Sequence, residues 1–239
     1  MRVRMRFSKI GKVRWTSHRD VARMWERAIR RVQLPIAYSE GFSPRPKVHF
    51  GLALSTGHEG LAEFLDIDLD ADESAIDVAG LPASLTPALP AGVDATAAVV
   101  IPPGTPSLQQ AVTSCSWRVS VRDVDPATLA AGVERALAAD DLILTRQRKG
   151  KDVTDDVRPY LLDLTVTGPT DDGSALDAHL ATQPRGLRIP ELLAVLGDGM
   201  VEGRVCRTHQ WTLTDGARHE PIPAPAGATS APHVERRAS

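Results

Sequence analysis

The sequence predicts an α+β protein built from two tandem ferredoxin-like halves, each a split βαβ unit with its own antiparallel sheet. Three observations predict this. Hydrophobic residues alternate with period two in short runs, broken in each half by stretches of helical period. The order strand, helix, strand, strand, helix, strand is read once before residue 101 and again after residue 115. Between the two stands Pro102-Pro-Gly-Thr-Pro106, a composition suited to a connection. The expected organisation is a first domain over 1–101, a linker over 102–114, a second domain over 115–215, and an unstructured tail over 216–239.

The first strand is read from Val3, Met5 and Phe7 alternating with Arg2, Arg4 and Arg6. Lys9 to Lys12 turns the chain, and Val13 to Trp15 is expected to extend or pair with that strand. Ser17 followed by Asp20 is an acidic variant of the capping box and opens a helix. Val21, Met24, Trp25, Ala28, Ile29 and Val32 give it a clean apolar stripe, with Pro35 expected to stop it. The segment Tyr38–Lys47, with two prolines and a glycine, reads as a loop. Val48 to Leu54 alternates again as a strand, Thr56 to Gly60 turns, and Glu63 to Asp70 reads as the antiparallel return strand. A weak helix over Ser74–Leu85 and a strand over Val93–Ile101 complete the half.

In the second half, Trp117, Val119 and Val121 alternate as a strand, and Asp125-Pro126 opens a helix with proline in its first turn. Leu142–Arg148 and Tyr160–Val166 read as a hairpin around a long polar loop, Lys149 to Arg158. Ala175–Ala181 reads as an additional strand, Ile189–Leu196 as a short helix, and Val201–Leu213 as the closing strand. From Ala217 the chain is rich in Ala, Pro and Gly.

Composition narrows the function classes. No apolar run approaches the roughly 18 residues of a membrane span. The alternating N-terminus lacks the continuous apolar segment of a signal peptide. Two isolated cysteines, Cys115 and Cys206, predict reduced thiols in a cytoplasmic protein rather than a disulfide framework. Residues 1–50 carry 13 Lys and Arg against 3 Asp and Glu, while residues 51–145 carry 3 against 14. Two readings of this asymmetry stay open. The basic end binds a polyanion, or the two segments lie side by side and neutralise each other.

The chain holds no Gly-rich phosphate loop, nucleophile elbow or paired C-x-x-C, and its seven histidines show no zinc spacing. A metal site assembled in space from His18, His49 and His58 is the remaining metal reading, and no metal or other cofactor is expected. The densest polar signal joins Ser17-His18-Arg19-Asp20 to the loop Tyr38–Lys47. A helix N-terminus favours anions. His18 sits in that first turn, Arg45 and Lys47 offer phosphate contacts, and Tyr38 and Phe42 offer rings for base stacking. Arg19, Arg23, Arg27 and Arg30 line the polar face of the helix. Ferredoxin-like topology is expected to bring the loop near the helix N-terminus. A second phosphate contact is read in Arg146–Lys151 with Arg158, against the alternative of a self-paired surface hairpin. The bland reading of the first segment is a stiff connection with solvated charges.

The run F-S-K-I-G-K-V-R-W-T-S-H-R-D at Phe7–Asp20, then Y-S-E-G-F-S-P-R-P-K at Tyr38–Lys47, Leu54-Ser-Thr-Gly57 and Glu63, resembles the radical-SAM-linked protein family. Val157-Arg-Pro159 and R-T-H-Q-W at Arg207–Trp211 extend the resemblance to roughly residue 215. That family is an uncharacterised bacterial domain encoded beside, or fused behind, a radical SAM enzyme with a cobalamin-binding-type domain. Its usual S-H-L-D is Ser17-His18-Arg19-Asp20 here, and its frequent G-F-N-P-H-P-K is Gly41–Lys47 with Arg45 in place of histidine, which favours anion binding over acid/base work. The resemblance implies a separate radical SAM enzyme as partner. With two cysteines far apart, this chain lacks the three closely spaced thiolates such an enzyme needs.

The expected function is therefore a non-catalytic, RNA-recognising or substrate-presenting accessory protein. One competing expectation is an enzyme on RNA or a phosphorylated substrate, with His18 as acid/base. The other is a protein–protein adaptor docking through the acidic strand Glu63–Asp70.

Overall fold

The computed structural model of the chain describes residues 1–148 and 150–222, and it is a mixed α+β structure whose sheet is mostly antiparallel. The first half runs β1 (Arg2–Lys9), α1 (His18–Arg31), β2 (Val48–Phe50), β3 (Glu59–Asp68), α2 (Leu81–Leu85) and β4 (Val93–Ile101). After α3 (Leu108–Ala111), the second half runs β5 (Val112–Arg122), α4 (Pro126–Ala138), β6 (Ile143–Arg148), β7 (Lys151–Asp156), β8 (Leu161–Thr170), β9 (Gly173–Ala181), α5 (Ile189–Leu196), β10 (Val201–Thr214) and β11 (Ala217–His219).

α1 forms as its pattern dictates. Ser17 Oγ accepts from the Asp20 amide at 3.2 Å, and Val21, Trp25, Ala28 and Ile29 are buried. Each large apolar side chain removed from water contributes about 1.5–3 kcal/mol, which fixes this face on the sheet. The helix ends before Pro35. Leu34 N–H donates to Ile29 O and Gln33 N–H to Arg30 O, both at 3.2 Å, with Gln33 at φ +55°. That is a Schellman stop with a non-glycine residue in the left-handed position.

Strand order is β4-β1-β3, with β2 on the outer side of β3, in the first half, and β10-β5-β9-β8 in the second, with antiparallel neighbours throughout each. The two sets are one sheet. β3 and β10 pair in parallel through Cys206 with Glu59 and Arg207 with Gly60. α1 and α2 pack on Val3, Met5, Phe7, Leu65 and Ile67, while α4 and α5 pack on Val119, Val121, Leu176 and Val205. Glu63 shares a face with Leu65 and Arg207 with Val205, two residues apart on each strand, and these two side chains pair with each other. Both helix layers therefore lie on the same side of the sheet.

Several local expectations are corrected. Gly11–Trp15 is a 3-10 helix rather than a strand, turned by Gly11 at φ +72°. The helix expected over Ser74–Leu85 shrinks to Leu81–Leu85 after one 3-10 turn at Glu73–Ala75. The expected linker holds α3 and the first residues of β5. β6 pairs with β7, not with β8, because Gly150 at φ +75° allows Arg148 to face Lys151 directly. β8 pairs instead with β9. The tail expected without structure begins as β11 on β10, and Ile222 is buried. Residues 223–239 and Lys149 lie outside the described residues.

Candidate functional site

The charge asymmetry resolves inside the sheet. β1 and β3 lie side by side in register, so Arg2 meets Asp68 and Arg4 meets Asp66. Arg4 Nε and Nη2 reach the two Asp66 oxygens at 2.8 and 3.0 Å with both side chains buried. Arg2 forms the same fork on Asp68. The acidic strand expected to dock a partner is therefore interior. Three of its carboxylates are taken up, Asp66 and Asp68 by the neighbouring strand and Glu63 by Arg207, which leaves Asp70 at its end exposed.

Arginines of α1 are not consumed in this way. Arg19, Arg23, Arg27 and Arg30 are all exposed. Only Arg23 has an ion pair among the described residues, to Asp20 at 3.4 Å. The loop Tyr38–Lys47 is a tied excursion. Ser39 N–H donates to Arg45 O at 2.9 Å, Arg45 N–H donates to Ser39 Oγ at 3.0 Å, and Lys47 N–H donates to Ala37 O at 2.9 Å. Phe42 at its tip is fully exposed at 111 %, and Tyr38 is half-exposed. Arg45 is exposed and Lys47 half-buried.

The expected juxtaposition of this loop with His18 is corrected. Ile36 bridges Leu69, Val48 pairs with Ile67, and Ile67 pairs with Val3, so the loop leaves the sheet where β1 begins. α1 runs back along β1, its first turn meeting Phe50 at the far end of β2, which puts the loop toward its C-terminal end. A helix of 14 residues spans about 21 Å at 1.5 Å per residue, and His18 is at the far end. There its ring meets the Phe50 ring edge-on at 5.2 Å and lines a cavity of about 20 Å³ with Lys9 and Glu63.

The β6–β7 hairpin is self-paired. Arg146 bonds Asp155 and lies 3.3 Å from Glu191, and Gln147 bonds Asp152. Arg158 donates to the carbonyls of Leu137, Ala139 and Leu161 at 2.9–3.1 Å, clamping the end of α4. Its guanidinium is a structural tie. The three histidines also stay apart: His49 lies 3.3 Å from Asp68, and His58 lies 3.0 Å from Glu202. No group of three metal-ligating side chains forms among the described residues.

A second region was not read from the sequence. Between the helix layers, over the β3–β10 seam, lies a cleft of about 390 Å³. Leu52 and Leu54 form one wall, Leu180, Leu187 and Ile189 the other, and Trp117 with Arg207 lies between. Arg207 Nε donates to Glu63 Oε1 at 2.9 Å and Nη2 to Leu52 O at 2.7 Å, with the guanidinium 5.3 Å from the Trp117 ring centre. Burial opposes the Arg207 charge, but Glu63 outweighs it and keeps the group protonated. Burial likewise lowers the pKa of Lys9, whose Nζ donates to Arg14 O and Thr16 O at 3.1 and 3.2 Å.

Two further residues stand where the sequence reading did not put them, Trp15 read as part of a strand and His58 only as a candidate metal ligand. Trp15 is 64 % exposed with the Arg14 guanidinium 5.1 Å from its ring centre. His58 is 5 % exposed, lines the cleft, and meets Trp117 edge-on at 6.2 Å. The signal available for both was a polar or aromatic residue beside a Gly-containing turn. Burial pushes the Cys115 thiol up to about 11 and Cys206 up to about 12, so neither is a ready nucleophile.

A family model described as an uncharacterized protein conserved in bacteria (DUF2344) matches residues 2–189. No curated protein matches the chain. Among solved structures, a chain of the "Crystal Structure of a Cbf5-Nop10-Gar1 Complex" is 13% identical, with a TM-score of 0.48 over 87% of this chain and 48% of that one. The chain thus spans about half the length of that solved chain.

Proposed function

The chain belongs to a family of uncharacterised proteins conserved in bacteria, and from that premise we propose that it recognises RNA through the basic face of α1 and the loop at its C-terminal end. The observation that carries this reading is the sorting of charge. Arg2 and Arg4 of β1 are neutralised by β3, while Arg19, Arg27 and Arg30 stay exposed without ion pairs among the described residues. An exposed aromatic, Phe42, stands on the loop at the C-terminal end of the same helix, and that loop carries Arg45 and Lys47. Cationic groups that follow a phosphate chain, with a ring for stacking, are the usual means of holding single strands. Tyr38 belongs to the same surface, and Arg158 is left out because its donors are engaged.

In this reading the two halves are tandem ferredoxin-like units over 1–101 and 115–215, a view supported by the same strand order and antiparallel pairing in each. The protein acts as an accessory that presents its substrate to a separate radical SAM enzyme, a partner supported by the sequence resemblance alone. Two unpaired, buried-type thiols support a cytoplasmic setting, and no helix among the described residues is long and apolar enough to cross a membrane. The competing enzyme reading, with His18 as acid/base, is favoured by one observation: His18 shares its small cavity with Lys9 and Glu63.

A salt titration tests the proposal. Contact with about five phosphates gives a slope of log K against log salt near −3.5, about −0.7 per contact on a single strand. Arg45→Ala or Arg30→Ala should flatten the slope by roughly 0.7, and Phe42→Ala should cost about 1–3 kcal/mol at unchanged slope. Folded variants binding as well as the parent protein would replace RNA recognition with the adaptor reading. RNA turnover lost in His18→Ala would install the enzyme reading.

A further inference from the structure

We propose that the cleft between the two halves binds a small organic carboxylate with an apolar body, its charge held by Arg188. The proposal goes beyond RNA recognition by α1 and stands on different residues. At about 390 Å³ the cleft falls at the lower end of the roughly 300–1,000 Å³ range of small-molecule sites. That is room for one ring or a short chain, not for a stretch of polymer. Leu52 and Leu54 stand opposite Leu180, Leu187 and Ile189, with Trp117 between. Walls of this kind favour a hydrophobic body, because its entry removes apolar surface from water on both sides.

Charge selects the group that this body carries. Among the described residues lining the cleft none is Asp or Glu, in a chain with 30 such acids, whereas two are arginines. The two arginines differ in what they can still bind. Arg207 is committed to Glu63 and to Leu52 O, so its charge is already offset. Arg188 is exposed and has no ion pair among the described residues, since Glu191, the acid nearest in sequence, is taken by Arg146 and Arg185. Its backbone is held in place, with Leu187 and Ile189 buried on either side and its N–H donating to Glu191 Oε2 at 3.0 Å. The remaining polar side chains of the lining add no free charge. Thr182 Oγ1 donates to Val112 O at 2.8 Å, burial keeps the Cys115 thiol protonated, His58 faces Glu202, and Ser55 carries a neutral hydroxyl. One free guanidinium over apolar walls matches a monoanion. A carboxylate accepts two parallel N–H bonds from it, while a phosphate dianion would keep one charge uncompensated beside the leucines.

Calorimetric titration of the full chain with phenylacetate, indoleacetate and octanoate, each beside its neutral amide, and with phenyl phosphate tests this. At least one carboxylate should bind one-to-one and roughly tenfold or more tighter than its amide, the worth of a charge-assisted hydrogen-bonded pair. Arg188→Met keeps an unbranched side chain and removes the charge. It should bring the carboxylate down to the affinity of the amide and leave the amide unchanged. Gly186 lines the cleft with nothing within 4 Å of an added Cβ, so Gly186→Trp should obstruct the cleft and weaken both, with circular dichroism confirming that each variant is folded. The proposal is overturned if no carboxylate binds, if carboxylate and amide bind alike, or if either folded variant keeps the parent's carboxylate affinity. Phenyl phosphate binding more tightly than phenylacetate would put a phosphate in place of the carboxylate and overturn it as well. RNA affinity lost in Arg188→Met, with no carboxylate bound by the parent, would hand that cation to RNA and leave the cleft without its proposed ligand.

Discussion

His179 sits on β9 with Nε2 2.8 Å from Ser114 Oγ and Nδ1 2.5 Å from Arg218 Nη1. Burial, and then the Arg218 charge, hold its pKa below the ordinary value of 6.5, and burial does the same for His209. The sign follows from linkage. A ring kept neutral in the folded state contributes stability that is complete above about pH 6.5 and lost as pH falls through its lower folded pKa. Urea midpoints should therefore decline from about pH 7 to pH 5, and His179→Gln should flatten that decline. An equally steep decline in the variant would dismiss His179 as its source. A second loss comes at lower pH. The Arg2 fork, with the weaker His49 contact, holds Asp68 below the ordinary 3.8, so its contribution is present above about 3.8 and disappears as pH falls through the depressed value.

At the scale of elements, helix ends and short hairpins depend on single positions. α1 closes on Gln33 at φ +55°, a conformation that costs a residue with a Cβ roughly 1–2 kcal/mol. Glycine relieves that cost but is more flexible in the unfolded chain by about 0.4–1 kcal/mol. Gln33→Gly should thus stabilise the protein by about 0.5–1 kcal/mol in chemical denaturation, and a destabilised variant would count against the Schellman stop. The β6–β7 hairpin shows the opposite dependence. Its strands carry little apolar surface, and Arg146, Asp155 and the neighbouring Arg185 and Glu191 hold it by charge. A hydrophobic pattern could not announce it, which is why β8 looked like the better partner for β6.

For the whole molecule, the seam between halves is short in backbone pairing and dense in buried charge. Only two residue pairs join β3 to β10, yet the buried Arg207–Glu63 pair, the Arg204–Glu59 contact at 2.6 Å and Gln210 donating to Ala62 O at 2.8 Å all cross it. Removing one member of a buried pair leaves the other charge uncompensated, at about 3–5 kcal/mol. Arg207→Met and Glu63→Gln should each lower stability by that amount, and the double variant by clearly less than their sum. Additive losses would show that the pair does not act as a unit. If the seam couples the halves, the parent protein should unfold in one transition, and Glu63→Gln should separate it into two.

Sequence alone determined the elements whose signal is local. The β1 alternation, the α1 stripe with its Ser17 cap and the Asp125 opening of α4 all follow from period and capping. It also determined that basic residues crowd the first 50 positions. What those charges do was decided by tertiary structure, because register sends Arg2 and Arg4 onto Asp68 and Asp66 while helix geometry turns Arg19, Arg27 and Arg30 outward. The GFSPRPK loop was legible as a loop with cations and rings, but its place at the far end of α1 from His18 was set by the pairing of β2 with β3. The cleft was illegible for the same reason. His58, Trp117 and Arg207 are separated by dozens of residues and share no spacing, and only the parallel contact of β3 with β10 brings them to one slot.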